Sequence, residues 1–248
     1  MMWEKRKQCL VIHLTLVPYL NAAGELKTKP TQNSVKSMRE VGVQPDILVC
    51  RTEHHLDESI KKKIALFCNV ETTSVIESID ASSIYEVPIL MQNEKLDEVV
   101  IEKLGLESNV EPKMDKWNEF LKRVQNPKSK VTIGLVGKYI ELKDSYKSIV
   151  ESFEHSGAAN ECDVKIKWIH SEKLTPENVA EQLSGIDGVL VAPGFGSRGI
   201  EGKINAVKFA RENKLPFFGI CLGMQCAVIE YARNVLGWED AHSSEIQK

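Results

Sequence analysis

Residues 217–225 read Phe217-Phe218-Gly219-Ile220-Cys221-Leu222-Gly223-Met224-Gln225: an apolar run halts at a glycine, presents one thiol and passes a second glycine into a helix-period stretch. Small residues two positions before and two after a nucleophile allow a sharp strand-to-helix turn. That turn lifts the side chain off the sheet and sets it under the positive end of the helix. The spacing predicts a nucleophile elbow with Cys221 at its tip, a setting suited to thiol chemistry. Taken alone, a cysteine between a strand and a helix is also what a buried structural thiol looks like. The glycines on either side favour the elbow.

The same alternation extends outward. Strands are expected over residues 131–136, 164–169, 188–191 and 216–220, with helices over 145–159, 176–183, 200–213 and 222–236. Met224, Val228, Tyr231 and Val235 form the expected buried stripe of the last helix. In the first half, a buried strand over 9–16 and strands over 46–50 and 74–79 alternate with helices over 31–41, 57–67 and 94–104. Gly42 ends the first of these helices, and Ile60, Ile64 and Phe67 share one face of the second. Strands and helices in strict alternation imply an α/β fold with parallel sheets. Between residues 105 and 130 the apolar pattern thins, and Pro112 and Pro127 bracket a short amphipathic piece around Trp117, Phe120 and Leu121. A linker is therefore expected over residues 109–129, separating domains of residues 1–108 and 130–248.

With 248 residues the chain can bury one large or two small cores, and a net charge of −3 lacks the basic excess of a nucleic-acid or membrane-surface binder. No nucleic-acid or membrane partner is expected, and any bound anion must be met by local groups. Cys9, Cys50, Cys68, Cys162, Cys221 and Cys226 form no C-x-x-C pair and mostly lie in apolar runs, the pattern of reduced thiols in a cytoplasmic protein. Residues 9–21 are too short to span a bilayer, and Glu4, Lys5, Arg6 and Lys7 make the amino terminus unlike a signal peptide. His54 and His55 have no carboxylate or thiol at ligand spacing, so they read as a solvated loop and no metal ligand is assigned.

Two further constellations accompany the elbow. Ala192-Pro193-Gly194-Phe195-Gly196 follows the strand at 188–191 and would lie on the same carboxyl edge, where α/β sheets bind ligands. The backbone N–H groups of Gly194 and Leu222 are candidate oxyanion donors, each worth about 10²- to 10³-fold in rate. Lys27-Thr28-Lys29-Pro30-Thr31-Gln32 gathers two ammonium and two hydroxyl groups at a helix start, a composition that suits a phosphate chain and equally a solvated turn with an N-cap.

The elbow resembles that of the class I glutamine amidotransferases. The stretches Gly194-Phe195-Gly196-Ser197-Arg198-Gly199, Phe209-Ala210-Arg211-Glu212-Asn213 and Gly137-Lys138-Tyr139-Ile140-Glu141-Leu142, with Tyr146-Lys147-Ser148, narrow the resemblance to the CTP synthase family. So do residues 27–32 followed by Ser34-Val35 and Gln44-Pro45-Asp46-Ile47-Leu48. The resemblance runs from about Leu10 to Glu245. It implies a partial P-loop-type amidoligase domain followed by a partial flavodoxin-like class I glutamine amidotransferase domain.

By that resemblance Cys221 takes the glutamine amide as a thioester, and Gly194, Leu222, Gly223, Met224, Gln225 and Glu245 bind glutamine. Lys27, Thr28, Lys29, Pro30, Thr31, Gln32 and Lys63 would hold the triphosphate of UTP as substrate or of CTP as inhibitor, and Ile79, Asp80 and Ala81 would contact ATP. From sequence alone Asp80 is a strand-end aspartate. The implied reaction is ATP-dependent amination of UTP to CTP in pyrimidine biosynthesis, by a cytoplasmic homotetrameric ligase that uses ATP and Mg²⁺ and is activated by GTP through a segment containing Lys147. One departure is Ala192-Pro193-Gly194 where many members carry Pro-Gly-Gly, so Pro193 brings no N–H and Gly194 serves alone. No G-x-x-x-x-G-K-[ST] is present, so the Mg²⁺ ligands are expected outside this chain, and the His-x-Glu of the glutaminase beyond residue 248. The chain thus reads as the end of one domain, a linker and the first half of the next, inactive alone. The alternatives are a stand-alone glutaminase subunit or related cysteine hydrolase, and a non-enzymatic truncated remnant.

Overall fold

The structure, a computed structural model, describes residues 8–107 and 111–244. The chain divides into two compact units, Met1–Lys113 and Met114–Lys248. The first contains β1 (Ile12–Leu16), a hairpin of β2 (Tyr19–Leu20) and β3 (Glu25–Leu26), α1 (Lys29–Glu40), β4 (Ile47–Thr52), α2 (Glu58–Cys68), β5 (Val75–Ile79), α3 (Val87–Asn93) and α4 (Leu96–Leu104). Its three-stranded sheet runs β1-β4-β5, all parallel. Central β4 is covered on both faces. Leu48 and Cys50 pack with Val35, Ile64 and Cys68 on one side, while Ile47 and Val49 pack with Ile76 and Val99 on the other.

Four sequence expectations change here. The strand at 9–16 is not buried: β1 is an edge strand whose Ile12, Leu14 and Leu16 stay 46%, 62% and 55% exposed, while Thr15 and His13 face α1. On α2, Ile64 is buried as expected but Phe67 is 58% exposed, and Cys68 takes the inward position. The helix expected over 94–104 is α4, starting two residues later, and it is preceded by a helix not expected from sequence, α3, from which Lys95 separates it with a left-handed φ of 60°. The helix expected from residue 31 begins at Lys29, since Pro30 is pre-organised for a first turn.

The second unit contains α5 (Asp115–Gln125), β6 (Ser129–Gly137), α6 (Lys147–Ala159), β7 (Cys162–His170), α7 (Val179–Gln182), β8 (Gly188–Val191), α8 (Ile200–Glu212), β9 (Phe217–Gly219) and α9 (Leu222–Asn234). Inside the 109–129 stretch, α5 lies against α6, with Phe120 stacked on the His155 ring at 5.1 Å. The sheet order is β7-β6-β8-β9, parallel throughout. This is a 2-1-3-4 arrangement of flavodoxin type, with its crevice outside the carboxyl ends of β6 and β8, where the winding reverses. Residues 176–178, assigned to a helix by sequence, form a turn in which the Asn178 side chain accepts from Thr175 N at 2.9 Å and donates to Lys173 O at 2.8 Å.

The expected stripe of α9 is the wrong face. Met224, Val228, Tyr231 and Val235 are 56%, 64%, 50% and 44% exposed, whereas Leu222, Gly223, Cys226, Ile229, Glu230 and Ala232 are buried. Small residues let the helix lie close against the sheet, and Arg211 of α8 satisfies Glu230 through contacts of 3.1, 3.0 and 2.8 Å. Among the described residues no helix is long and apolar enough to cross a membrane.

Candidate active site

β9 ends at Gly219 and α9 begins at Leu222, which leaves two residues to reverse the chain's direction. Cys221 absorbs the turn at φ 52°, ψ −105°, a region that costs a non-glycine residue of order 1–3 kcal/mol and is held by its surroundings. Those surroundings are the two glycines. A Cβ on Gly219 would lie 2.6 Å from the Gly223 carbonyl carbon, and one on Gly223 would collide with the Val191 carbonyl oxygen. The turn is pinned by Ile220 N to Val191 O at 3.1 Å and Gly223 N to Ile220 O at 2.9 Å. Cys221 is consequently exposed, while Cys50, Cys68 and Cys226 are buried. Burial pushes the Cys68 and Cys226 thiols up to about 11, and burial also raises Cys50.

Leu222 opens α9, whose first-turn N–H groups have no intrahelical acceptor. Gly194 comes against it: a Cβ on Gly194 would lie 3.8 Å from Leu222 Cδ2. The two expected oxyanion donors are thus neighbours at the mouth of the elbow. The Ala192–Gly194 loop is held by two lysines. Lys203, fully buried on α8, donates to Ala192 O at 2.7 Å, and Lys138, just past β6, donates to Phe195 O. Sequence reading singled out neither as a functional group, because a lysine's carbonyl partner on another element leaves no local signal.

The Gly137-Lys138-Tyr139 motif also acquires a structural role. The buried Tyr146 hydroxyl accepts from Lys138 N at 3.1 Å and Tyr139 N at 3.3 Å, closing the turn after β6, and a Cβ on Gly137 would stand 2.5 Å from that oxygen. Lys147 is ion-paired with Glu151 at 2.5 Å, which raises its pKa. On α9, Met224 is exposed and the Gln225 side-chain oxygen accepts from Ser243 Oγ at 3.2 Å, so the 241–244 tail folds back over the first turn. Arg233 secures that tail by donating to Ala241 O at 2.7 Å. Glu245 lies outside the described residues. Among the described residues no histidine is hydrogen-bonded to the Cys221 thiol; His242, in the tail, accepts from Ser243 N at 3.0 Å.

In the first unit, the segment at residues 27–32, the His54-His55 loop and Ile79-Asp80-Ala81 all follow carboxyl ends of β1, β4 and β5 or the hairpin after β1. Several of their polar groups are already engaged. Lys27 is paired with Glu25, whose carboxyl is held down by that lysine first and by Lys63 more weakly, which sets Lys63 electrostatically on the same edge. Thr31 is buried and donates to Leu16 O at 2.9 Å, and Gln32 donates to Thr28 Oγ1 at 3.0 Å. Lys29 and Pro30 are exposed. Asp80 accepts from Arg51 at 2.6 Å, and His55 pairs with the buried Glu77 at 2.7 Å. No group of three or more His, Cys, Asp or Glu is arranged for a metal ion among the described residues.

Residues 1–106 match the family described as CTP synthase N-terminus, and residues 141–247 match glutamine amidotransferase class-I. The CTP synthase of Cytophaga hutchinsonii is 66% identical over 239 residues, 96% of this chain and 44% of that protein. The CTP synthase of Flavobacterium johnsoniae is 60% identical over 249 residues, covering 100% of this chain and 46% of its own length. The chain therefore spans somewhat under half the length of the curated relatives it matches. Among solved structures, the glutaminase domain of Trypanosoma brucei CTPS with bound acivicin is 44% identical, with a TM-score of 0.44, over 46% of this chain and 45% of that one.

Proposed function

The chain belongs to the CTP synthase family, and from that premise we propose that it carries the glutaminase nucleophile and part of the nucleotide edge of an enzyme that aminates UTP to CTP at the expense of ATP. One observation carries the reading: Cys221 is held exposed in a left-handed turn between Gly219 and Gly223, beside Gly194. There the thiolate sulfur attacks the glutamine carboxamide carbon. Charge gathers on the carboxamide oxygen, facing the N–H groups of Gly194 and Leu222. Collapse breaks the C–N bond, ammonia leaves with the proton supplied by a general acid, and water cleaves the thioester to glutamate. Met224, Gln225 and Glu245 would complete the glutamine pocket.

Residues 1–108 are then the end of the amidoligase domain and residues 130–248 the first half of the glutaminase domain, joined by residues 109–129. In the former, Lys27, Thr28, Lys29, Pro30, Thr31, Gln32 and Lys63 receive the UTP or inhibitory CTP triphosphate, and Ile79, Asp80 and Ala81 meet ATP. Thr31 contributes through its backbone, its hydroxyl being committed to Leu16. ATP phosphorylates the uracil 4-oxygen, and ammonia displaces phosphate. The Mg²⁺ that accompanies ATP is assigned no ligand in this chain. GTP activation, a homotetramer and a cytoplasmic setting complete the proposal. The bare stripes on β1 and α9 favour further structure over both units in the whole enzyme, so the 248-residue chain alone is expected to form no CTP.

The test separates nitrogen sources. In the enzyme with all its domains, Cys221→Ala should abolish glutamine-driven CTP formation and leave formation from added ammonia intact. Loss of both routes in a folded variant would refute a division of labour between glutaminase and amidoligase.

A further inference from the structure

We propose that Lys203 is a positioning residue of the oxyanion loop, tying down the Ala192 carbonyl and keeping a buried positive charge behind Gly194. The inference rests on the reading of Cys221 as the nucleophile and adds to it a group that the chemistry above does not use.

Lys203 lies in the first turn of α8 and is fully buried, a rare position for a lysine. Its ammonium nitrogen is 2.7 Å from Ala192 O and 3.7 Å from the point where a Gly194 Cβ would sit. Ala192 is also held at its other end, where its N–H donates to Val136 O at 2.9 Å. Beyond Gly194, Lys138 holds Phe195 O. The carbonyls on both sides of the glycine are thus turned toward two ammonium groups. Because Pro193 has no N–H, the proposed donor from this loop is Gly194, and any slack in the loop falls on it.

A hydrophobic side chain of similar length would fill the same space without the desolvation that a buried charge incurs. The charge is nevertheless kept where negative charge would develop. Burial first, then the Lys138 charge, pull the Lys203 pKa down to about 8, while Cys226 and Cys221 oppose the shift. The groups whose charge reaches Lys203 are therefore Lys138, Cys226 and Cys221, and Lys203 remains largely protonated at neutral pH.

The test uses the 248-residue chain and two alkylating reagents of similar size, neutral iodoacetamide and anionic iodoacetate, followed by mass mapping of Cys221. A slack loop slows both reagents alike; a lost charge slows only the anion. In the unsubstituted chain the iodoacetate-to-iodoacetamide rate ratio at Cys221 should fall roughly three- to tenfold as pH rises from 7 to 9.5, as expected for loss of one nearby charge. Lys203→Met should lower the ratio at pH 7 by a similar factor and flatten its pH profile, and Lys203→Arg should restore it. A flat profile in the unsubstituted chain overturns the proposal even if the Met variant fails to fold. An unchanged ratio in a folded Met variant overturns it too. Preferential alkylation of another cysteine in the unsubstituted chain would instead refute the elbow assignment on which the inference rests.

Discussion

At the carboxyl edge of the second sheet the proposed nucleophile is held by backbone with no room to do otherwise, whereas at that edge of the first the polar side chains are held by one another. Cys221 is forced outward by a turn that only Gly219 and Gly223 admit. Lys27, Asp80 and Gln32 are instead engaged with Glu25, Arg51 and Thr28 in pairs that a ligand could exchange for its own contacts. The contrast fits the proposed division of labour. A nucleophile needs its attack geometry before substrate arrives, while a phosphate site can form by swapping one set of ionic partners for another. It also predicts different sensitivities to substitution.

The largest loss is expected at the elbow. In Gly223→Ala the new methyl meets the Val191 carbonyl, a backbone atom of a fully buried strand that cannot move aside. We expect destabilisation of about 4 kcal/mol or more, read by denaturant unfolding, with loss of selective Cys221 alkylation. Gly196→Ala is the converse control: Gly196 has a positive φ, at 78°, with open space around it, whereas Gly223 has no positive φ and meets only the clash, so at Gly196 the expected loss is the backbone cost of roughly 1 kcal/mol. Equal losses at the two sites would mean that contact with β8 costs no more than an ordinary backbone penalty.

Glu230→Ala comes next. The carboxylate is 1% exposed and paired bidentately with Arg211, so its removal leaves the guanidinium only the more distant Glu212, at 3.5 Å. Breaking a buried pair costs about 3–5 kcal/mol, and partial solvent access at Arg211 puts the expectation near the low end. Chemical denaturation measures it. On the first unit's edge, Lys29→Ala in the whole enzyme should weaken UTP about ten- to a hundredfold, the worth of one charge-assisted contact, without lowering the melting temperature, since Lys29 is exposed. A stability loss there instead of an affinity loss would erase the contrast between the edges.

These positions also show what the sequence could and could not disclose. The elbow and the alternation of strands with helices were legible because glycine spacing and apolar period are local. The α9 stripe was misread because its buried face is made of Gly223, Cys226 and Glu230, residues that look small or polar until Arg211 and the sheet are brought against them. β1 was misread for the converse reason: its apolar Ile12, Leu14 and Leu16 face outward while Thr15 bonds inward to Thr31 and Cys50. Lys203 gave no sign, since its partner Ala192 lies on a different element.

Alkaline pH probes the buried thiols of both units against the buried lysine of the second. The folded state raises the Cys50, Cys68 and Cys226 thiols, so the unfolded chain loses those protons first; the stability that Cys68 and Cys226 contribute below pH 9 is lost between 9 and about 11, and Cys50 acts in the same direction. Lys203 acts oppositely. Its folded pKa is depressed to about 8, so its penalty is present at low pH and relieved as pH rises from 8 toward 10.5. The melting temperature should therefore fall above pH 9, and fall more steeply in Lys203→Met. A shallower fall in that variant would mean the lysine is not uncharged in the alkaline folded state.

The smallest effect is expected at Arg51→Ala. The Arg51–Asp80 pair is short, at 2.6 Å, yet its side chains are 57% and 53% exposed, and exposed pairs contribute about 0.2–1 kcal/mol because water screens them and two side chains must be ordered. The strand end does not depend on the pair, since Asp80 N donates to Thr52 O at 3.1 Å whatever the side chain does. For a chain of this size the expected drop in melting temperature is at most about 2–4 °C. A drop as large as that of Glu230→Ala would show that the first edge, like the elbow, is rigidly built. Its ionic pairs would then be structural supports rather than partners that a nucleotide displaces.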